Sequence, residues 1–339
     1  SLGASLIAGV SLLFVGDWLS VWLLRSTAMS SVFVWLALTL PAMAANNLLM
    51  AIVNGKKEIS IYVAANIIGS LISMLLTGFL TYMFGLYGAL VAFTINPAVT
   101  LLSTAAMIGK RDWFKAKFLW GKMNRIALPE LAGFGLMGLT TALTVPVTYM
   151  LIRNHLATNL GLAAAGYWQA TWKISEIYLM LITTTLTVYY LPRLAEIRSA
   201  EELKTEVFKV YRFVMPIVVV SAITIYALRD YIIQILFTSD FFPMRELFSW
   251  QLTGDVIKIG AFVLAYIMLG RAMVKFFVIT EIAFCVSFFL LTWVFVSKWG
   301  LQGVSIAYAV NYAVYWVCMI YLVRHELNKM ENKAEIVSK

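Results

Sequence analysis

Ten times along this chain the sequence runs for about twenty residues or more with almost no charge, at about 5–24, 32–53, 59–83, 86–108, 127–152, 162–191, 207–228, 246–269, 273–297 and 301–323. Wound as a helix, a run of that length spans the roughly 30 Å hydrocarbon core of a bilayer. No water reaches a backbone amide there, so only helices and closed barrels can cross. The runs are continuously apolar rather than alternating, which selects helices. An all-α, polytopic membrane protein with ten transmembrane helices is therefore expected. With 62% of residues apolar and 13% charged, the composition excludes a soluble globular chain.

The chain is also related to itself. A shift of 215 residues aligns Trp35 with Trp250, Leu49 with Leu264, Ile52 with Ile267 and Gly55 with Gly270. It aligns Leu75-Leu76-Thr77 with Leu290-Leu291-Thr292, and Gly85, Gly88, Ala92 and Asn96 with Gly300, Gly303, Ala307 and Asn311. Matched glycines, a tryptophan and an asparagine point to a duplication. The first four runs then correspond to the last four, and the fifth and sixth have no partner. Twelve helices in two pseudo-symmetric lobes are expected, ten of them in this sequence, with about two preceding Ser1. The copies lie an even number of spans apart, so they share orientation.

Alternating the loops across the membrane places 19 of the 26 lysines and arginines on one side, five on the other and two, Lys173 and Lys258, within the spans. The positive-inside rule makes the rich side cytoplasmic and puts the C-terminus there. The expected organisation is an N-terminal lobe over 1–108, a linker over 109–126, a C-terminal six-helix lobe over 127–323 and a cytoplasmic tail over 324–339. The linker interleaves Lys110, Arg111, Lys115, Lys117 and Lys122 with Trp113, Phe114, Phe118 and Trp120. That pattern suits a basic amphipathic segment on an anionic lipid surface. The stretch 229–245 is expected to be a short surface helix ending near Pro243. Pro41, Pro97, Pro146 and Pro216 fall inside spans, where each removes one helical hydrogen bond.

Charges inside the spans are the strongest sign of function. Gln251, Asp255 and Lys258 stand at i, i+4 and i+7, on one helix face; Gln169, Lys173 and Glu176 repeat the spacing in the sixth run. Charges at that depth cost several kcal/mol unless paired or facing water. If the two helices are neighbours, Lys173 can face Asp255 and Glu176 can face Lys258. Such a quartet either fastens the helices together or forms a site where an anion competes for the ammoniums. Lys209, Arg212, Arg271 and Lys275 lie towards the cytoplasmic mouth. Lys56 is the repeat counterpart of Arg271, so the two could present a basic pair to a diphosphate. Glu281, the counterpart of Asn66, is a candidate site for a coupling ion.

Other chemistry is not signalled. No phosphate-binding loop, dinucleotide fingerprint or His-Glu-x-x-His is present, and no long loop carries a catalytic constellation. No catalytic residue, metal site or cofactor is expected. Cys285 and Cys318 lie within spans, where they pack as small apolar residues. The excess of positive charge belongs to the membrane orientation rather than to nucleic acid.

The segment "LRDYIIQILFTSDFFPMRELFSWQLTGDVIKIGAF" at 228–262 resembles the Wzx-type lipid-linked oligosaccharide flippases of the multidrug/oligosaccharidyl-lipid/polysaccharide (MOP) exporter superfamily. "GYWQATWKISEIYLMLITTTLTVYYLP" at 166–192 is similar to the matching region of that family. The likeness extends over nearly the whole chain. Asp255 and Lys258 sit in its Gly-Asp-x-x-Lys pattern, Glu176 matches an acidic position, and Lys275 and Glu281 match a basic residue followed six later by an acid. Lys173 falls where the family has a small polar residue.

The resemblance implies flipping of an undecaprenyl-diphosphate-linked oligosaccharide across a bacterial inner membrane by alternating access, for O-antigen or enterobacterial common antigen synthesis. It implies membrane lipids as partners, a polysaccharide polymerase and chain-length proteins as candidates, and coupling to a proton or sodium gradient as an open question. Two other readings stand against it: a multidrug or cation antiporter of the same architecture, and a membrane glycan polymerase or ligase.

Overall fold

The computed structural model describes residues 2–24, 27–109, 111, 113, 114 and 128–338. Among these, every regular element is helical: α1 (Leu2–Leu24), α2 (Ser30–Gly55), α3 (Ile59–Ile108), α4 (Leu128–Leu160), α5 (Leu162–Thr185), α6 (Leu191–Glu196), α7 (Ala200–Leu236), α8 (Phe248–Gly270), α9 (Val274–Trp299) and α10 (Gln302–Ser338). A π-helical turn, Leu186–Tyr190, joins α5 to α6, and a 3-10 segment, Ser239–Leu247, joins α7 to α8. The chain divides into two compact units, residues 1–122 and 123–339.

Nine of the described helices are long and apolar enough to cross a membrane, against the ten expected. The difference lies in α3, whose 50 residues are two helical arms that meet at a kink. Straight, it would run about 75 Å. Gly85, at φ 57° and ψ −138°, breaks it in a region open only to glycine. Asn96 Nδ2 then donates to Thr77 Oγ1 at 3.3 Å, a contact that requires the two arms of α3 to lie side by side.

The duplication read from sequence is written in the backbone as well. Gly300, 215 residues after Gly85, has the same φ 57° and ψ −138° between α9 and α10. Lys57 (φ 59°) and Ala272 (φ 50°), the positive-φ non-glycine residues among those described, are separated by the same interval and turn α2 into α3 and α8 into α9. A methyl on Gly88 would meet Leu80 O, and one on Gly303 would meet Phe295 O, again one repeat apart.

Three expected boundaries move. The run at 207–228 is the middle of a longer helix that starts at Ala200, where the Ser199 hydroxyl accepts from Glu202 N at 3.1 Å and Glu201 and Glu202 face the helix dipole. The surface helix expected at 229–245 is instead the end of α7 followed by 3-10 structure that runs through Pro243. Arg245 Nη2 to Asp230 Oδ2 at 3.3 Å and the burial of Met244 and Leu247 hold it in place. The expected tail continues α10, tied to α7 by Lys204 Nζ to Glu331 Oε1 at 2.7 Å.

Of the basic linker, Gly109, Arg111, Trp113 and Phe114 are described. Arg111 Nε lies 3.4 Å from Glu58 Oε2, and Trp113 Nε1 donates to Glu58 Oε1 at 2.8 Å. Lys110, Lys115, Lys117, Phe118, Trp120 and Lys122 lie outside the described residues.

In the second unit α8 is the most deeply buried span, packed along α10 and flanked by α5, α7 and α9. Glycines permit the approach: a methyl on Gly254 would sit 2.4 Å from the Tyr308 ring, and one on Gly260 would sit 2.9 Å from Trp316. The surrounding core runs from Leu186 and Tyr190 through Leu203 and Val218 to Ile259, Met268 and Met319.

Candidate functional site

The close packing of α8 on α10 brings Asp255 into a wholly buried position beside two tyrosines. Tyr178 of α5 donates to its Oδ2 at 2.9 Å, and Tyr308 of α10 donates to its Oδ1 at 2.8 Å. Hydroxyls rather than a cation thus satisfy the carboxylate, and hydrogen bonds to an ionised acceptor are the stronger kind. No ion pair joins Asp255 to Lys258 among the described residues.

Lys258 lies one turn further on and is half-buried. Its Nζ stands 5.4 Å from the Phe262 ring centroid, 5.4 Å from that of Tyr312 and 5.8 Å from that of Tyr308. Three aromatic faces stabilise the ammonium through their quadrupoles where water is scarce. Asp255, Glu176 and Glu281 contribute favourable longer-range attraction.

This ammonium borders a cavity of about 270 Å³ bounded by α4, α8, α9 and α10. Thr141, Tyr149, Glu281, Phe288, Asn311 and Tyr315 are among its walls. Asn311 Oδ1 is buried with no partner among the described residues. The arrangement is a caged cation with one carboxylate in the same cavity, able to accept an anionic group or to exchange one charge for another. A cavity of this size admits a headgroup fragment, not a whole oligosaccharide.

The expected cross-helix quartet does not form. Lys173 and Glu176 are exposed and bond each other, Nζ to Oε2 at 2.6 Å, three residues apart on α5. Gln169 is exposed on the same face. The physical reason is local: an i,i+3 pair closes without bringing two helices into register, while Asp255 is satisfied by hydroxyls and Lys258 by rings. The face of α5 that meets α8 carries Ser175 and Tyr178 instead.

Gln251 is buried on α8, with both amide atoms lacking a partner among the described residues. Arg271, at the C-cap of α8, donates from Nη2 to Ile197 O at 3.3 Å. Lys275 and Arg212 are exposed in the second unit, and Lys56 is exposed at the end of α2 in the first. Sequence reasoning missed Tyr178 and the aromatic cage. Tyr308, Tyr312 and Tyr315 follow the same i, i+4, i+7 spacing as Gln251, Asp255 and Lys258, which was the available signal.

Fold and sequence comparisons converge. Among solved structures, a MATE crystal structure in complex with MaL6 superposes with a TM-score of 0.84 at 17% identity, covering 98% of this chain and 78% of that one. An outward-facing multidrug resistance MATE family transporter of the MOP superfamily gives 0.81 at 18% identity over the same shares. The Vibrio cholerae MATE transporter VcmN in the bent form gives 0.77 at 14%, covering 97% of this chain and 80% of that one. Identities this low establish the fold alone. In sequence, the lipid III flippases of Escherichia coli (strain K12) and Shigella flexneri are each 35% identical over 294 residues, which is 84% of this chain and 69% of theirs. Residues 1–246 match the family described as polysaccharide biosynthesis protein. A multi-span helical chain with a charge caged inside one unit, and with those relatives, belongs to the polysaccharide biosynthesis protein family.

Proposed function

We infer that this protein is a flippase, not an enzyme, and that it moves a lipid-linked oligosaccharide from one leaflet of its membrane to the other. The observation that carries the site assignment is the Lys258 ammonium, held by three aromatic rings at 5.4–5.8 Å beside a cavity within a membrane-spanning unit. A cation kept there without a carboxylate in contact suits a phosphate oxygen of a lipid diphosphate. The lipid III flippase relatives support a substrate of this class. Undecaprenyl as the lipid, the bacterial inner membrane as the location and a cytoplasmic C-terminus complete the reading; the excess of lysine and arginine on one side of the spans supports the last.

Glu281 is the candidate for a coupling proton or sodium ion, since it shares the cavity with Lys258. A polymerase and chain-length proteins are the expected protein partners. The cation-antiporter reading has the MATE-like fold in its favour, but the caged ammonium opposes a cationic cargo.

The test is transport of a labelled polyprenyl-diphosphate-linked oligosaccharide in proteoliposomes. Lys258→Ala should reduce the rate at least tenfold and Lys258→Arg should retain most of it. Export of a cationic dye by wild type, with no movement of the lipid-linked oligosaccharide, would overturn the reading.

A further inference from the structure

The first unit has a cavity of its own, of about 320 Å³, between α2 and the two arms of α3. Asn46, Asn47, Asn66, Ser70, Ser73 and Thr100 are among its walls, and none of the described lining residues is charged. Asn46 lies nine residues before Gly55 and Asn66 seven after Ile59, so both sit about 10–14 Å along their helices from the nearer end.

Asn47, Asn66 and Ser70 are exposed at that depth. Carboxamides turned towards hydrocarbon cost several kcal/mol, so this face meets something polar. Asn46 Oδ1 is buried with no partner among the described residues, and Asn66 Nδ2 donates to Tyr62 O at 2.8 Å.

The cavity is placed by the duplication. Asn47, Asn66, Gly69, Ser70, Ser73 and Thr100 stand 215 residues before Phe262, Glu281, Phe284, Cys285, Phe288 and Tyr315, all of which line the charged cavity of the second unit. At each of these positions the first unit has a smaller or uncharged residue, leaving room where the second unit has rings.

Uncharged amides and hydroxyls that both donate and accept match a ligand with the same dual capacity. A phosphate or an ammonium would find no counter-charge there. Sugar hydroxyl and acetamido groups fit, and the volume lies in the lower part of the range for small-molecule pockets. We propose that this cavity binds a sugar unit of the transported glycan. The proposal rests on the flippase reading and concerns the first unit alone.

The experiment compares two ligands on the full-length protein in nanodiscs: bare polyprenyl diphosphate and the polyprenyl-diphosphate-linked oligosaccharide extracted from the same cells. Wild type should hold the glycosylated lipid about tenfold tighter, in line with two or three additional hydrogen bonds. Asn46→Ala combined with Asn66→Ala should bring that ratio close to one and leave affinity for the bare lipid unchanged. Ser73→Phe, which fills the cavity as Phe288 does in the second unit, should do the same without touching either amide. Thermal unfolding of each variant identifies any that fail to fold, and the independent Ser73 variant then carries the test. No preference in wild type, as for a cavity that holds water alone, or an undiminished preference in the variants, overturns the proposal and leaves the flippase reading intact. Failure of wild type to bind either lipid overturns both.

Discussion

Phe262, Glu281, Phe284, Cys285, Phe288 and Tyr315 surround a cavity of about 270 Å³ in the second unit; the residues one repeat earlier, Asn47, Asn66, Gly69, Ser70, Ser73 and Thr100, surround one of about 320 Å³ in the first. The backbone turns of the two units share positive φ angles one repeat apart, with Gly85 and Gly300 both at 57° and Lys57 at 59° against Ala272 at 50°. Asp255 and Lys258 have Leu40 and Met43 as counterparts, and Tyr308 has Phe93. Duplication preserved the positions that set chain direction while the positions facing the cavity changed chemistry. The two kinds of position answer to different physics. Turns are fixed by local sterics that tolerate few residues; a cavity wall is fixed by what it must bind.

Converting the second unit's centre towards the first should therefore have the largest effect on stability. In Asp255→Leu the Tyr178 and Tyr308 hydroxyls lose their buried acceptor, at about 1–3 kcal/mol each, and Lys258 loses an electrostatic partner. Relief of the buried carboxylate's desolvation offsets part of that. A net loss of about 2–4 kcal/mol is expected in unfolding from detergent micelles. Asp255→Asn keeps one acceptor and should lose about half as much. Adding Tyr178→Phe and Tyr308→Phe to the leucine variant removes the orphaned hydroxyls and should restore most of the stability. An Asp255→Leu protein as stable as wild type would mean that the two units differ only superficially.

How much of this was legible beforehand follows the same division. The spans could be read because bilayer thickness imposes a run length, and the repeat could be read because a side chain at Gly85, Gly88, Gly300 or Gly303 would meet strain or a clash. Asp255 and Lys258 were visible because charge is rare in such runs. Their partners were not. A tyrosine on a membrane helix looks the same whether its hydroxyl holds a carboxylate or its ring packs in a core, and helix rotation decides which. Spacing alone did not separate the pairing of Lys173 with Glu176 on one helix from pairing across two. The fold of α3 at Gly85 could be anticipated from the lengths of its arms.

If the turns are shared for steric reasons, they should respond equally. Gly85→Ala and Gly300→Ala each force a Cβ into φ 57°, ψ −138°, a region that costs of order 1–3 kcal/mol for a non-glycine residue. Neither methyl would meet a neighbouring atom within 4 Å, so backbone strain is the whole effect. Loss of similar size in the two variants, measured by the same unfolding assay, supports a common skeleton. A large loss at one and none at the other would separate the two turns.

The reverse substitution gives the smallest effect and the cleanest sign. Ala272 stands at φ 50° at the α8–α9 turn, with its N–H bonded to Leu269 O at 3.1 Å; Lys57 stands at φ 59° at the α2–α3 turn, with its N–H bonded to Asn54 O at 2.9 Å. A left-handed conformation costs an L-residue about 1–2 kcal/mol, and glycine escapes that penalty but gives up more unfolded-state entropy, worth about 0.4–1 kcal/mol. Ala272→Gly should therefore gain stability, by up to about 1 kcal/mol. It removes only a methyl, so no side-chain interaction clouds the result. Lys57→Gly should move the same way by less, because a whole side chain leaves with the strain. Destabilisation by Ala272→Gly would show that its backbone is at rest, and that the match with Lys57 reflects ancestry without a shared steric cost.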